Sequence, residues 1–185
     1  MVTDEDKLKV PYIERMNGNL CVAKGEFEEA VKHYNKGLLS LRMLFEMDKD
    51  PIITSHEQAI KLIKEVEILT CVNLAHVYIK LEQYHYAIKY ASQALEKEPE
   101  NTKALFRKGV AYTKIGELER ARECLNEVVR IDPSMQITTT KALQDVKNVE
   151  TRNRQREKEM SRRMIQGGSA GQPNNQKTGS IEDMG

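Results

Sequence analysis

The sequence predicts an all-α protein built from stacked pairs of antiparallel helices. Apolar residues recur at helical spacing along most of the 185 residues. From Asn101 to Ser134, small residues, an aromatic residue and a closing proline follow in a fixed order, and a similar order stands 34 residues earlier. Charged residues make up 31% and aromatic residues 5% of the chain, without tryptophan, which favours a thin helical core over a β-sandwich. We therefore expect a solenoid of repeated helix pairs.

The repeat is clearest in its third copy, where offsets 0, 3, 7, 12 and 24 are occupied by Gly109, Tyr112, Gly116, Ala121 and Pro133. Small residues let two helices cross closely, and proline ends the unit because it cannot continue a helix. The second copy has Ala75, Tyr78, Ala87 and Pro99, and the first has Gly18, Gly25, Ala30 and Tyr34. The first copy departs from the other two by placing Cys21 where they have tyrosine.

The first repeat is predicted at about residues 11–50, after a charged lead-in over residues 1–10. Pro11 fits the first turn of a helix, where its missing N–H costs little. That helix continues with apolar residues at helical spacing and stops at Gly25; they are Ile13, Met16, Leu20 and Ala23. A second helix is predicted from Phe27 to Met47. Its buried stripe consists of Phe27, Ala30, Val31, Tyr34, Leu38, Leu41 and Phe45.

The second repeat, at about residues 55–100, is preceded by an insertion. Between Gly18 and Ala75 lie 57 residues, 23 more than the period of 34. Ser55 followed by Gln58 forms a capping box, and helical periodicity then continues to Leu81. A helix of that length is a rod of roughly 36 Å. We expect extended helices at the junction of repeats one and two, each covering the apolar side of the other.

Repeat two closes with a helix over residues 84–97, and residues 101–134 form repeat three. Residues 135–165 predict a longer capping helix without a repeat partner, with a basic end. Its apolar residues can pack on repeat three: Ile137, Leu143, Val146 and Val149. Residues 166–185 hold almost nothing to bury, so we expect a disordered tail.

Composition argues against several classes of function. A net charge of +1 gives no reason to expect a nucleic-acid partner. Three distant cysteines without a CxxC pair (Cys21, Cys71 and Cys124) favour buried thiols in a reducing compartment. The polar N-terminus is unlike a signal peptide, and Ile60 to Leu81 carries too many charges to span a membrane. We expect a soluble protein of the cytoplasm or nucleus, with no membrane partner.

No motif predicts catalysis, a cofactor or a metal site. SHEQA at residues 55–59 lacks the second histidine of a zinc-binding helix. The four histidines, His33, His56, His76 and His85, show no metal-ligand spacing. His76 follows Asn73 by three residues and could reach a binding groove. The sequence therefore predicts a chain that is not an enzyme.

The period and its small residues resemble the tetratricopeptide repeat (TPR) family. The resemblance implies a TPR solenoid of three helix-turn-helix repeats plus a C-terminal capping helix, with the first helix of each pair on the concave side. Polar residues on those helices are then candidate ligand contacts: Arg15, Asn19, Asn73, Lys103 and Arg107. Residues four apart share a helix face. Three cations and two amides would therefore converge, and such a cluster suits carboxylates.

This set resembles the dicarboxylate clamp of TPR co-chaperones, which grips the Glu-Glu-Val-Asp tail of cytosolic heat-shock chaperones. Asn19, Asn73, Lys103 and Arg107 match the pattern of that family. Arg15 departs from it, because lysine is usual there and a planar guanidinium replaces a compact ammonium. Solvated charges on a basic helix are the alternative interpretation. The long helices at the repeat junction further resemble immunophilin co-chaperones of the FK506-binding-protein type.

The leading hypothesis is a non-catalytic adaptor that docks the acidic C-terminal tail of a 90-kDa or 70-kDa heat-shock chaperone. One alternative is the targeting module of a peptidyl-prolyl isomerase whose catalytic domain is missing from this chain. Another is a scaffold that binds a different peptide in the same groove. The basic segment 152–163 could bind calmodulin or an acidic partner, although it lacks large apolar anchors and is otherwise a solvated helix end.

Overall fold

The computed structural model describes residues 4–46 and 57–168, and the regular structure in these ranges is helical. The helices are α1 (Asp4–Lys24), α2 (Phe27–Glu46), α3 (Glu57–Lys80), α4 (Tyr84–Lys97), α5 (Thr102–Ile115), α6 (Leu118–Ile131) and α7 (Gln136–Gly168), with a 3-10 turn at Pro133–Met135. The chain divides into two compact units, Met1–Lys147 and Asn148–Gly185. The predicted all-α class is confirmed.

The first unit is a stack of three helix pairs, α1 with α2, α3 with α4 and α5 with α6. The first helices also contact one another, α1 with α3 and α3 with α5. The backbones of the second helices stay farther apart: among the described residues, no Cα pair of α2 and α4, or of α4 and α6, lies within 8 Å. Helices α2 and α4 meet through side chains, since the Tyr90 hydroxyl donates a hydrogen bond to Asn35 Oδ1. The first helices are therefore closer together than the second helices, which places them on the inner side of the stack. The inner face of α1, α3 and α5 is called the groove below.

One apolar cluster joins all three pairs, so the repeats share a continuous core. Its buried members are Cys21, Ala30, Tyr34, Leu74, Val77, Tyr78, Ala87 and Ala111. A second buried cluster joins the extended parts of α2 and α3 through Leu41, Ile63 and Val66, with Leu38 packed against it. The expectation that these two long helices cover each other is met.

The turns within the three pairs share a left-handed backbone residue at repeat offset 7. Glycine occupies this position in the first and third pairs, with φ of 80° at Gly25 and 86° at Gly116. The second pair has Glu82 there, with φ of 58°. Side chains other than glycine adopt this conformation at a cost in free energy. The turn of repeat two is therefore strained where the other two are not.

Replacing Glu82 by glycine is expected to raise the free energy of unfolding by about 0.5 to 1 kcal/mol, because the left-handed strain is removed. Urea denaturation measures this directly. Glu82→Ala is the matched control, since it removes the carboxylate but retains the Cβ that causes the strain. Equal stability of the glycine and alanine variants would contradict this explanation.

The start and orientation of α1 differ from the prediction. The helix begins at Asp4 and not at Pro11, so the expected lead-in is largely helical and Pro11 lies inside the helix. Proline there removes one backbone hydrogen bond of the helix. Close packing against α2 offsets this loss, since a Cβ added at Gly37 on α2 would lie 3.3 Å from the Pro11 carbonyl oxygen. The apolar residues Ile13, Met16 and Leu20 are 50%, 40% and 58% exposed. The buried face instead carries Pro11, Glu14, Gly18 and Cys21.

Glu14 explains why the apolar pattern predicted the wrong buried face for α1. Its carboxylate is buried between α1 and α2, where His33 Nδ1 lies 2.7 Å from one oxygen and Lys36 Nζ lies 2.5 Å from the other. Burial alone would raise the pKa of Glu14, but the hydrogen bonds and charges of His33 and Lys36 outweigh it and lower the pKa. A carboxylate that is paired with cations can therefore be buried between α1 and α2 while apolar residues of α1 are exposed to solvent.

The helix after the third pair packs on α6 through Ala142 and Val146, which contact Ala121 and Leu125. Thr139 is also fully buried, whereas Ile137, predicted to pack there, is 76% exposed. A helix presents its buried residues at intervals of three or four, and 139, 142 and 146 define that face.

The predicted first and last residues of the other helices are close to those in the structure. The predicted helix over residues 84–97 is found with those bounds, and α3 starts and ends one residue before its prediction. Helix α7 ends at Gly168 and not at residue 165, so residues 166–168 do not belong to a disordered tail. The rest of that tail and the Ser55 capping box lie outside the described residues.

In the second unit, residues 148–165 are helical with exposed side chains apart from a half-buried Val149. The side chains of the basic segment 152–163 are exposed, and its proposed partners stay predictions. None of the described helices is long and apolar enough to cross a membrane.

The three cysteines are free. Cys21 and Cys71 are buried, as expected, and Cys124 is half-buried. Burial raises the pKa of the Cys71 thiol to about 12, so this thiol is unreactive.

Candidate functional site

Two asparagines and a tyrosine form a hydrogen-bonded network beneath the groove. The Asn19 side-chain oxygen on α1 accepts a hydrogen bond from the Tyr34 hydroxyl on α2, at 2.8 Å. The same oxygen accepts a second bond from Asn73 Nδ2 on α3, at 2.9 Å. Tyr34 is only 1% exposed. These three residues, called the amide–tyrosine floor below, tie the first two repeats together at the predicted site.

The network fixes which atoms of Asn19 remain available. A carbonyl oxygen has two lone pairs, and both are occupied by the bonds from Tyr34 and Asn73. The orientation of the amide is thereby set, and its NH2 group remains as a donor. Asn73 uses one of its two N–H donors in the same network. The floor therefore offers amide N–H donors of Asn19 and Asn73 to a ligand, which suits a carboxylate.

Two of the predicted cations lie close to this floor. Burial raises the pKa of Tyr34 to about 12, and the charges of Arg107 and Arg15 act in the opposite direction on the same hydroxyl. Arg107 is half-buried and donates a hydrogen bond to the Val72 carbonyl oxygen on α3. The structure therefore brings Arg15 and Arg107 together with the floor, although they come from the first and fifth helices.

Arg15 has an unusual environment for a surface cation. Its Nε is buried without a hydrogen-bond partner, and its guanidinium carbon lies 5.4 Å from the centre of the Tyr12 ring. That contact is within the range of a cation–π interaction. The planar guanidinium of Arg15 thus has an aromatic neighbour on its own helix, one turn earlier.

Lys103 stands one turn before Arg107 on α5 and is exposed. Within the described residues, none of the three cations Arg15, Lys103 and Arg107 pairs with a carboxylate. Several cations on the second helices, in contrast, form ion pairs with carboxylates: Lys32–Glu29, Lys36–Glu14, Lys97–Glu67, Arg120–Glu117, Arg122–Glu119 and Arg130–Glu127. Two uncompensated positive charges, those of Arg15 and Arg107, therefore lie at the floor, and the Lys103 side chain is a third cation one turn away on α5.

Tyr34 is the site residue that sequence reasoning missed. Periodicity assigned it correctly to the buried stripe of α2 but gave it no role in binding. A signal was present, because a buried tyrosine hydroxyl requires a hydrogen-bond partner. Tyr34, at repeat offset 16, lies opposite Gly18. The next residue, Asn19, is the hydrogen-bond partner of the Tyr34 hydroxyl.

A separate pocket of about 660 Å³ lies between α2, α3 and α4, away from these residues. Leu38, Leu41 and Cys71 are among its lining residues, together with the Glu67–Lys97 ion pair. Its lining carries charges of both signs, unlike the predicted site residues of the groove. Within the described part of the chain, no cluster of histidine, cysteine and carboxylate side chains could hold a metal ion.

Comparison with known proteins agrees with this architecture. Residues 72–135 match the tetratricopeptide repeat family. The mouse protein named inactive peptidyl-prolyl cis-trans isomerase FKBP6 is 35% identical over 126 residues, covering 68% of this chain and 36% of the relative. The chain thus spans about a third of the length of that relative.

Two solved structures are similar. The C-terminal TPR-containing domain of a Plasmodium falciparum FK506-binding protein has a TM-score of 0.70 and 28% identity, covering 83% of this chain and 96% of that domain. The first TPR domain of Spaghetti (RPAP3), bound to the HSP90 peptide SRMEEVD, has a TM-score of 0.58 and 22% identity. That alignment covers 77% of this chain and 94% of the RPAP3 domain.

Proposed function

The chain is a tetratricopeptide repeat domain similar to those of FK506-binding-protein-like co-chaperones, and from that premise we propose that it is a non-catalytic adaptor. Its groove would bind the acidic C-terminal tail of a 90-kDa or 70-kDa heat-shock chaperone. The cytoplasm, or the nucleus, is the compartment in which we expect this binding.

One observation carries the proposal: Arg15 and Arg107 converge on a floor of amide donors, and neither cation has a carboxylate partner among the described residues. Lys103, one turn before Arg107 on α5, would add a third positive charge. Unpaired charges are costly to hold together, since each of them repels the others. Packing of α5 does not require a cation at the exposed Lys103, whereas Arg107 also donates a hydrogen bond to the Val72 carbonyl oxygen on α3. An anionic ligand that brings several carboxylates resolves this imbalance.

The comparisons support the same class of ligand. The similar RPAP3 domain binds a peptide that ends in Glu-Glu-Val-Asp, which presents the side-chain carboxylates of two glutamates and one aspartate and a terminal carboxylate. In our assignment, Asn19 and Asn73 donate hydrogen bonds to the terminal carboxylate. Lys103, Arg107 and Arg15 hold the remaining carboxylates.

Binding should depend on the free C-terminus of the ligand. Titration with the peptide Ser-Arg-Met-Glu-Glu-Val-Asp is expected to give about micromolar affinity. The C-terminally amidated peptide should bind at least about tenfold more weakly, because hydrogen bonds to charged groups contribute about 1.5 to 3 kcal/mol. Both affinities should fall as salt is added, since exposed charges are screened. Equal affinity for the two peptides would favour a scaffold that binds an internal segment.

A second candidate function is that of a targeting module within a longer protein. The similarity to a longer relative named as an inactive isomerase supports a targeting module that delivers an isomerase-like domain to a chaperone. The two candidates share the ligand and differ in the cargo. The sequence of the whole gene separates them, because only the second candidate requires an isomerase-like domain beside the repeats; a prolyl-isomerase assay then tests whether such a domain is active.

A further inference from the structure

His76 lies beside the amide–tyrosine floor. It is half-buried on α3, one turn after Asn73, and residues three apart share a helix face. Arg107 donates to the Val72 carbonyl oxygen, which in an α-helix is the acceptor for the backbone N–H of residue 76. The Arg107 guanidinium is therefore next to His76, at the place where the clamp would hold a carboxylate.

The charges that act on His76 are all positive. Burial, followed by the charges of Arg107 on α5 and Lys80 on its own helix, lowers the pKa of His76 below its usual value. Helices α1 and α2 bring Arg15 and the Tyr34 phenol to the same floor, and that phenol stays neutral because its pKa is raised to about 12. Within the described residues, no carboxylate of α1, α2, α4 or α5 acts on His76. Without a ligand the ring is predominantly neutral near pH 7.

We propose that His76 is a further binding residue of the groove and takes up a proton when the carboxylates of an acidic tail arrive. The inference rests on the proposed function, because it requires an anion beside Arg107. A carboxylate within about 4 to 6 Å favours the imidazolium form. The complex then holds more protons than the separated protein and peptide.

This linkage has a definite direction. Where His76 is neutral in both states, at the higher pH, affinity does not change with pH. As pH falls through the pKa of His76 in the complex, affinity rises, by up to about tenfold for each unit by which the ligand raises that pKa. It levels off below the pKa in the free protein. Because carboxylates of the tail protonate near pH 4 to 5, the useful window is about pH 5.5 to 7.5.

Isothermal calorimetry with the acetylated peptide Ser-Arg-Met-Glu-Glu-Val-Asp tests the proposal, using buffers of different ionisation enthalpy to count protons. Wild-type protein should bind about fivefold or more tightly at pH 5.5 than at pH 7.5 and take up a fraction of a proton at about pH 6. His76→Gln should bind with little pH dependence. His85→Gln is the matched control, since His85 is exposed on α4, and it should retain the wild-type dependence.

The outcomes separate the two claims. Binding without proton uptake overturns the role of His76 and leaves the adaptor function standing. The same holds if His76→Gln keeps the pH dependence of the wild type, or weakens binding equally at every pH. Absence of binding at every pH contradicts the proposed function itself. The proton count is measured on the unaltered chain, so the test does not depend on how the variant folds.

Discussion

Lys103→Glu is expected to weaken binding of the acidic peptide by at least about a hundredfold, because like charges brought together across an interface cost several kcal/mol. Lys103 is exposed on the first turn of α5 and pairs with no carboxylate in the described part of the chain. The substitution therefore removes an attraction and adds a repulsion without disturbing packing.

The same change should not harm the fold. A negative charge in the first turn of a helix is favourable by about 0.3 to 1 kcal/mol through the helix dipole. Stability and affinity are thus expected to move in opposite directions, which separates loss of binding from loss of structure. Lys89→Glu on α4 is the control with the same charge change on a second helix, where binding should stay within about threefold. Binding by Lys103→Glu within threefold of wild type would remove Lys103 from the site.

Gly18→Ala is expected to lower the free energy of unfolding by about 2 to 3 kcal/mol, because overpacking a rigid site costs more than the helix propensity of alanine returns. A Cβ at Gly18 would lie 2.4 and 2.6 Å from two carbons of the Tyr34 ring. That ring is fully buried and hydrogen-bonded to Asn19, so it cannot move aside. Thermal or urea denaturation measures the effect, and peptide affinity should fall with it as the floor is displaced.

The glycines of the other helix crossings provide graded controls. At Gly109 the nearest atom to a new Cβ is Leu125 Cγ at 2.8 Å, a smaller overlap than the one at Gly18. At Gly37 the nearest atom is 3.3 Å away. We expect the cost to decrease from Gly18→Ala through Gly109→Ala to Gly37→Ala, the last being near neutral. A Gly18→Ala protein as stable as the Gly37→Ala protein would contradict the close crossing of α1 and α2.

The repeat register predicted most of this fold because each copy constrains the next. Once Gly109 and Ala75 are aligned, the bounds of α4 follow, and Asn19, Asn73 and Arg107 fall on neighbouring first helices. The convergence of Arg15 and Arg107 near Tyr34 follows from that register. Lys103 is placed on the same helix one turn earlier, but the structure gives it no contact with the floor, so its part in the site stays a prediction.

Other features depend on partners that periodicity does not specify. The face of α1 that is buried against α2 is determined by the paired Glu14 and by Gly18, so the apolar pattern predicted the wrong buried face. Ile137 is exposed because the buried face of α7 is set by its neighbours on α6. The positive φ of Glu82 is not indicated by the residue itself; only its register with Gly25 and Gly116 at repeat offset 7 points to it.

A mutant cycle between the protein and the peptide terminus tests the central claim most directly. The affinities of the acid and amidated peptides are measured for wild type and for Asn73→Ala, which leaves the Tyr34–Asn19 bond in place. If Asn73 helps to hold the terminal carboxylate, amidation should cost wild type about tenfold and the variant less than about threefold. An undiminished tenfold cost in Asn73→Ala would mean that the terminus of the tail is bound elsewhere.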